Sequence, residues 1–200
     1  MKLSLFNELN DPFELLGASI GDKLARRIFK VILQKHWTEN IGLICFSEDC
    51  RSPVMWAHYG DKHYGVCLGF DVRDDLAKKV QYKPDRLKRS LDTSKPLLGL
   101  DAEKLEDVLL TKYEDWSYER EWRVFAPLKE RDQNGKFYVD FSADMTLRSV
   151  ILGVRCAASV QDLANLLVDV DKQVDVWKSR AGFTKFEIVR QQRVPKVTVR

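Results

Sequence analysis

The chain has 200 residues, 44% hydrophobic and 32% charged, with 33 basic against 30 acidic side chains and a net charge of +3. That size and balance describe a globular protein with a sizeable core and exclude a disordered, fibrous or collagen-like chain. So even a charge gives no overall attraction to nucleic acid or a membrane, and any such affinity has to be local.

No apolar run reaches the length of about eighteen residues that a membrane helix needs. Met1 is not followed by the basic, apolar and small-residue pattern of a signal peptide. The expectation is a cytoplasmic protein with no membrane partner. Of Cys45, Cys50, Cys67 and Cys156, three sit in or beside apolar segments. Such cysteines behave as small hydrophobes in a reducing compartment.

In chain order, residues 2–6 alternate polar and apolar side chains and predict a strand. Residues 7–14, NELNDPFE, read as a turn. Asn10 and Asp11 can bond their own backbone there, and Pro12 keeps its predecessor out of the helical region. Leu9, Phe13 and Leu15 would anchor it. Residues 19–37 carry Ile20, Leu24, Ile28, Val31, Ile32 and Leu33 at helical spacing, with Arg26, Arg27 and Lys30 on the wet side. Residues 41–47, IGLICFS, are apolar on both faces and predict a buried central strand.

Residues 52–72 read SPVMWAHYGDKHYGVCLGFDV. Ser52 is a capping side chain, Pro53 suits the first helical position, and Gly60 ends the helix. The strand that follows turns Val66, Leu68, Phe70 and Val72 to one face, and Gly65, Cys67, Gly69 and Asp71 to the other. That second face is nearly bare, so a backbone, a helix or a ligand can approach it closely.

Residues 80–82 suggest a short strand and 83–95 a basic connection. Residues 102–113 predict a helix preceded by Asp101, with Leu105, Val108 and Leu109 inward. Residues 119–127, EREWRVFAP, return to period two, and 132–135, DQNG, signal a hairpin turn whose second arm is 137–141. Residues 147–152 form an apolar strand ending at Gly153. Residues 160–174 predict a helix with Leu163, Leu166, Leu167 and Val170 inward, 186–189 a last strand, and the basic tail from Arg190 edges a sheet or frays. With no repeat or linker, the reading is α+β: one domain over 1–200, with a mixed, mostly antiparallel sheet and flanking helices.

On the helix at 53–59, Val54 shares a face with His58, and Met55 with Tyr59. His58 is either a core histidine satisfied by a carbonyl or, with Tyr59 and Trp56, part of a cleft wall. Cys45, Cys50, His58, His63 and Cys67 fall within a short span but in different elements, so no metal site is expected. In WSYEREWR, residues 116–123, a strand would place Glu119, Glu121, Arg123 and Phe125 on one face. Two carboxylates and a guanidinium in a row are either a solvated ladder on an edge strand or, given the apolar flanks, part of a central strand. A carboxylate fixed by arginine stays ionised and can accept a hydrogen bond from a sugar hydroxyl or stabilise a cation at a glycosidic carbon. The absence of a nucleophile elbow, a phosphate loop and a dinucleotide fingerprint counts against acyl transfer and nucleotide hydrolysis. The basic stretches at 83–89 and in the tail lack interleaved aromatics, so solvated loops explain them and nucleic acid is not an expected partner.

Three strings together, LNDPFE (9–14), MWAHYGDKHYGVCLGFD (55–71) and YEREWR (118–123), resemble a widespread bacterial family of uncharacterised proteins, a domain of unknown function. Its members share NDPF, a WAHY-plus-GxCxGFD segment and an EWR strand in that order. The resemblance spans residues 3–153 and supplies no established activity. Members start with a further strand and helix, so it implies that this element is missing ahead of the NDPF turn.

The layout also looks like the ADP-ribosyltransferase fold, in which an early strand gives a His or Arg for NAD, a middle strand a Ser or Tyr, and a late strand a Glu that holds the ribose. That likeness implies Glu121 as the catalytic carboxylate, with Ser47 or Tyr59 in the middle position and the early residue missing. The expected activity is then ribosyl chemistry on NAD or another small nucleotide, with NAD as substrate and no further cofactor implied. The expected cleft combines the Trp56 to Tyr59 helix with His58, the Gly65, Cys67 and Gly69 face, and the Glu121 and Arg123 strand; Asn10 and Asp11 are further candidate binding residues. The alternative is a non-catalytic binding or interaction module in a defence or stress system, with Glu121 and Arg123 as a buried ion pair.

Overall fold

The computed structural model describes residues 1–14, 16–88, 101–167 and 172–200, and for residues 32–38 and 102 the backbone alone. In chain order the elements are β1 (Ala18–Ser19), α1 (Lys23–Asn40), β2 (Ile41–Ser47), α2 (Pro53–Tyr59), β3 (Val66–Val72), β4 (Lys78–Lys79), β5 (Gln81–Lys83) and β6 (Leu87–Lys88). There follow α3 (Ala102–Leu109), β7 (Thr111–Tyr113), β8 (Glu121–Pro127), β9 (Met145–Leu152), α4 (Val160–Asn165), β10 (Val174–Ala181), β11 (Ile188–Arg190) and β12 (Val197–Val199). Short 3-10 segments lie at Phe6–Glu8 and Glu114–Glu119. The fold is α+β with mixed and antiparallel pairing. Its residues group into two compact units, each built from two stretches of chain: Met1–Phe46 with Asp74–Asp140, and Ser47–Arg73 with Phe141–Arg200.

In the first unit, β8 lies between β2 and β4, with Lys78 opposite Arg123 and Lys79 opposite Trp122. β5 and β7 pair in parallel and set Tyr82 opposite Lys112. The Asp22 carboxylate accepts from the Ala25 N–H at 2.6 Å, which starts α1 there and leaves residues 18–19 to pair with β6. The helix buries Ala25, Phe29 and half-buried Ile28 against Ala18, Ile20 and Val108. Leu24 and Val31, expected inward, are exposed, because the buried stripe runs through Ala25 and Phe29. The strand expected at 2–6 is reduced to bridges from Lys2 to Tyr138 and from Ser4 to Leu43, since the chain turns into a 3-10 turn at Phe6. Phe6 then stacks on Phe125, with ring centroids 6.3 Å apart.

α3 begins as expected, with the Asp101 carboxylate accepting from the Lys104 N–H at 2.8 Å, but it stops at Leu109. The Gln81 N–H bonds the Leu110 carbonyl at 2.7 Å and draws the next residues into β7. The DQNG turn forms: the Asp132 carboxylate accepts from the N–H of Asn134 and Lys136, and Gly135 supplies a φ of +73°. Its second arm is bridges from Phe137 to Arg131 and from Tyr138 to Lys2 rather than a strand. Leu15, the side chains of Ile32, Leu33 and Trp37, residues 89–95 of the basic connection, and Val170 lie outside the described residues.

In the second unit the sheet order is β11-β10-β9-β3. β9 and β10 are parallel and joined through α4, while β3 runs antiparallel to β9 with a bulge between Gly69 and Phe70. β12 and β11 pair antiparallel with the first and last residues of β10 respectively, so the tail edges this sheet. One core gathers Leu147, Val150, Leu152, Val174 and Val176 against Val160 and Ala164 of α4. Another gathers Trp56, Ile151 and Ile188. The helix expected over 160–174 ends at Asn165, and Val174 already belongs to β10, a strand that the sequence reading missed. Among the described residues no helix is long and apolar enough to cross a membrane.

Candidate functional site

Five charged side chains meet inside the first unit. The Asp11 carboxylate accepts from the Phe13 N–H at 2.8 Å, and the Glu14 N–H donates to the Asp11 carbonyl at 3.1 Å, a tight turn that presents Glu14. β7 brings Lys112. The 3-10 turn ends at Glu119, and Arg120, left-handed at φ 47°, reverses the chain into β8. Glu119 is therefore on the turn rather than on the strand, yet it and Glu121 both reach the Lys112 ammonium, at 2.6 and 2.9 Å.

Arg123 closes the cluster. Its Nε donates to Glu121 Oε1 at 2.7 Å, and its Nη2 to Glu14 Oε1 at 2.7 Å and Glu121 Oε2 at 3.2 Å. Its Nη1 donates to the Leu109 carbonyl at 2.7 Å, one of the orphan acceptors at the negative end of α3. The Glu121 N–H in turn donates to the Tyr82 hydroxyl at 2.8 Å. Glu121 is 4% exposed and Arg123 1%, so the solvated ladder is ruled out.

Three carboxylates face two cations here, and the surplus negative charge divides unevenly. Burial alone would push the Glu121 carboxyl up, but the charge and hydrogen bonds of Arg123, then Lys112 and a bond from the Cys45 thiol, hold it at about 2. Burial also acts on Glu14, and there Arg123 and Lys112 do not offset it, so this carboxyl sits above its ordinary range. Burial lowers Lys112 and Arg123, yet the surrounding carboxylates raise both above their usual values. Cys45 keeps some surface open to water, while its crowded surroundings and then the Glu121 charge push its thiol up. A thiol kept protonated is a poor nucleophile. The cluster thus holds charges and protons in fixed places, and both Glu121 oxygens already have donors.

The remaining candidates are Asn10 and Asp11 in the first unit and, in the second, Ser47, Trp56, His58, Tyr59, Cys67 and Gly69. Asp11 is buried as the former of the Glu14 turn, and Asn10 is exposed. In the second unit, Ser52 caps α2 by accepting from the Met55 N–H at 3.3 Å. Trp56 is buried; its indole N–H donates to the Cys50 carbonyl at 2.7 Å, so its ring is core rather than an open stacking platform. Because Trp56 marks the buried side of α2, Val54 and His58 are exposed, which overturns the core-histidine reading. The His58 and half-exposed Tyr59 rings lie 6.4 Å apart.

The small-residue face of β3 is occupied by the chain itself. Cys67 packs into the Trp56 cluster, and a side chain at Gly69 would collide with the Ser149 hydroxyl. Asp61, Lys62 and His63 are all left-handed, at φ 47°, 51° and 73°, and fold the His63 ring parallel to Trp56 at 6.3 Å. The Ser47 hydroxyl donates to the Asp49 carbonyl at 3.5 Å.

The sequence reading missed Glu14 and Lys112. Glu14 is the last letter of LNDPFE, quoted for its turn rather than its charge. Lys112 was counted into a helix, although Thr111, a β-branched residue just past two leucines, signals that the helix has ended.

A family model described as Protein of unknown function (DUF2971) matches residues 55–124. No curated protein and no solved structure matches the chain. The likeness to that family of unknown function therefore rests on the stretch from Met55 of α2 to Val124 of β8, which carries Lys112, Glu119, Glu121 and Arg123 but not Glu14.

Proposed function

We propose that the chain is a non-catalytic binding or interaction module, in which Glu14, Lys112, Glu119, Glu121 and Arg123 form the hub that fixes the first unit. The observation that carries this reading is the complete engagement of Glu121. Arg123 takes one oxygen, Arg123 and Lys112 share the other, and the residue is buried. A ribose-holding carboxylate needs an acceptor site facing the substrate. Removing one partner of such a buried pair leaves an uncompensated charge, which costs about 3–5 kcal/mol.

Ribosyl chemistry on NAD is the second reading. What favours it is the division between Glu14 and Glu121 on one guanidinium, since neighbouring carboxyls driven in opposite directions are the usual acid and base assignment. Glu121→Gln separates the two. As a hub residue it lowers the melting midpoint sharply, and neither wild type nor variant consumes labelled NAD. A variant that melts almost like wild type while losing an NAD turnover that wild type has would overturn the hub.

A further inference from the structure

The hairpin joining β10 to β11 presents two phenylalanines that the fold does not use. Phe183 is 88% exposed and Phe186 102%, so both rings stand clear of the surface. The tip that carries them is closed and defined. The Gly182 N–H donates to the Glu187 carbonyl at 2.8 Å, and the Glu187 N–H donates back to the Lys185 carbonyl at 2.9 Å. Only glycine fits at 182, because a Cβ there would lie 2.8 Å from the Lys185 carbonyl oxygen.

Two cations, Arg180 and Lys185, flank Phe183 in the chain. The Arg180 guanidinium lies 4.0 Å from the Phe183 ring centre and donates to the Ala181 carbonyl, which holds it at the base of the tip. Lys185 is exposed between the two phenylalanines. The hairpin's one acid, Glu187, is 3.9 Å from Arg51, and Asp175 on β10 is bonded to Lys196. From Lys178 to Arg190, the stretch that carries the tip, four Lys or Arg stand against one acid, Glu187.

We infer that this tip docks on an anionic lipid surface. Phe183 and Phe186 enter the interfacial layer while Arg180 and Lys185 stay at headgroup level. Apolar wedges ringed by cations bind there by burying apolar area and by attraction to anionic lipid. A single-stranded nucleic acid fits less well. It needs ring faces open for stacking beside a groove, and here one ring is covered by Arg180 while the other projects alone. The inference goes beyond the hub reading and does not depend on it.

The test is sedimentation of the full chain with vesicles of phosphatidylserine in phosphatidylcholine, with vesicles of phosphatidylcholine alone, and at rising salt, beside anisotropy with a single-stranded oligonucleotide. Binding to the mixed vesicles, weakening with salt, is expected. The double variant Phe183→Ser with Phe186→Ser should lose it by at least about tenfold, with a melting midpoint close to that of wild type, because neither ring enters a core and only the Arg180 contact on Phe183 is lost. Lys185→Glu, which leaves the rings in place, should weaken anionic binding alone. The inference is overturned if mixed vesicles are not bound, if the double variant binds them as well as wild type, if phosphatidylcholine alone binds equally, or if only the oligonucleotide responds to the variants.

Discussion

Glu14 and Glu121 share the Arg123 guanidinium but respond to it in opposite senses, and the sign of each shift fixes how acid acts on the fold. Glu121 is held at about 2, below the unfolded value of about 4.3. Its stabilisation is therefore present above the unfolded value and lost as pH falls toward 2. Glu14 is raised, so its contribution is present below the unfolded value and lost as pH rises through its folded one; at neutral pH its charge is a cost. Glu14→Gln removes that charge and keeps an acceptor for Nη2. We expect it to change stability by about 1 kcal/mol or less at neutral pH, against about 3 kcal/mol for Glu121→Gln. As pH falls from neutral, wild type should gain on the Glu14 variant, because only wild type takes up the proton. Denaturant midpoints across pH measure this, and equal costs for the two variants would sink it. At this scale the sequence carried the Glu121 and Arg123 pairing, because alternation in a strand is local. It did not carry Lys112 or Glu14, whose places depend on the β5–β7 pairing and on a turn far away in the chain.

Short-range chemistry was legible wherever one residue decides an element. Ser52 and Pro53 start α2, and Asp132 with Gly135 makes the turn after β8. Where two periods overlap, legibility failed. Val174 continues the helical spacing of Leu163, Leu167 and Val170, while the alternation in VDVWKSRA that makes β10 only begins there. The left-handed run from Asp61 to His63 was also hidden, since none of its residues is glycine. It is held by long-range bonds: the Gly153 N–H to the Gly65 carbonyl at 2.9 Å and the Arg155 N–H to the His63 carbonyl at 3.0 Å. The close approach leaves no room for a Cβ at Gly153, which would collide with the His63 carbonyl oxygen. Gly153→Ala should cost about 1–3 kcal/mol, seen as a lowered thermal midpoint. Gly21→Ala, with nothing within 4 Å of its Cβ, is the control. Equal midpoints for the two would mean that the turn yields freely.

The chain passes between its two units after Phe46, Arg73 and Asp140, so neither unit is a continuous segment. That arrangement bears on the matched stretch, 55–124. It contains β3 but not β9, the antiparallel partner along the strand's length. It contains Trp56 but neither Ile151 nor Ile188, the buried residues that the indole packs on. In the first unit it holds Lys112, Glu119, Glu121 and Arg123 without Glu14, which bonds Arg123, and the β8 residues 121–124 without the rest of that strand or β2. A buried guanidinium deprived of one acceptor and a strand stripped of its partner both oppose folding. Residues 55–124 expressed alone should therefore stay unfolded, with collapsed amide dispersion in NMR spectra and no cooperative melt, whereas the full chain melts cooperatively. A well-dispersed spectrum from that fragment would mean that the matched stretch holds a core of its own, and that the strand pairing with β9 and the Glu14 contact to Arg123 are additions rather than requirements.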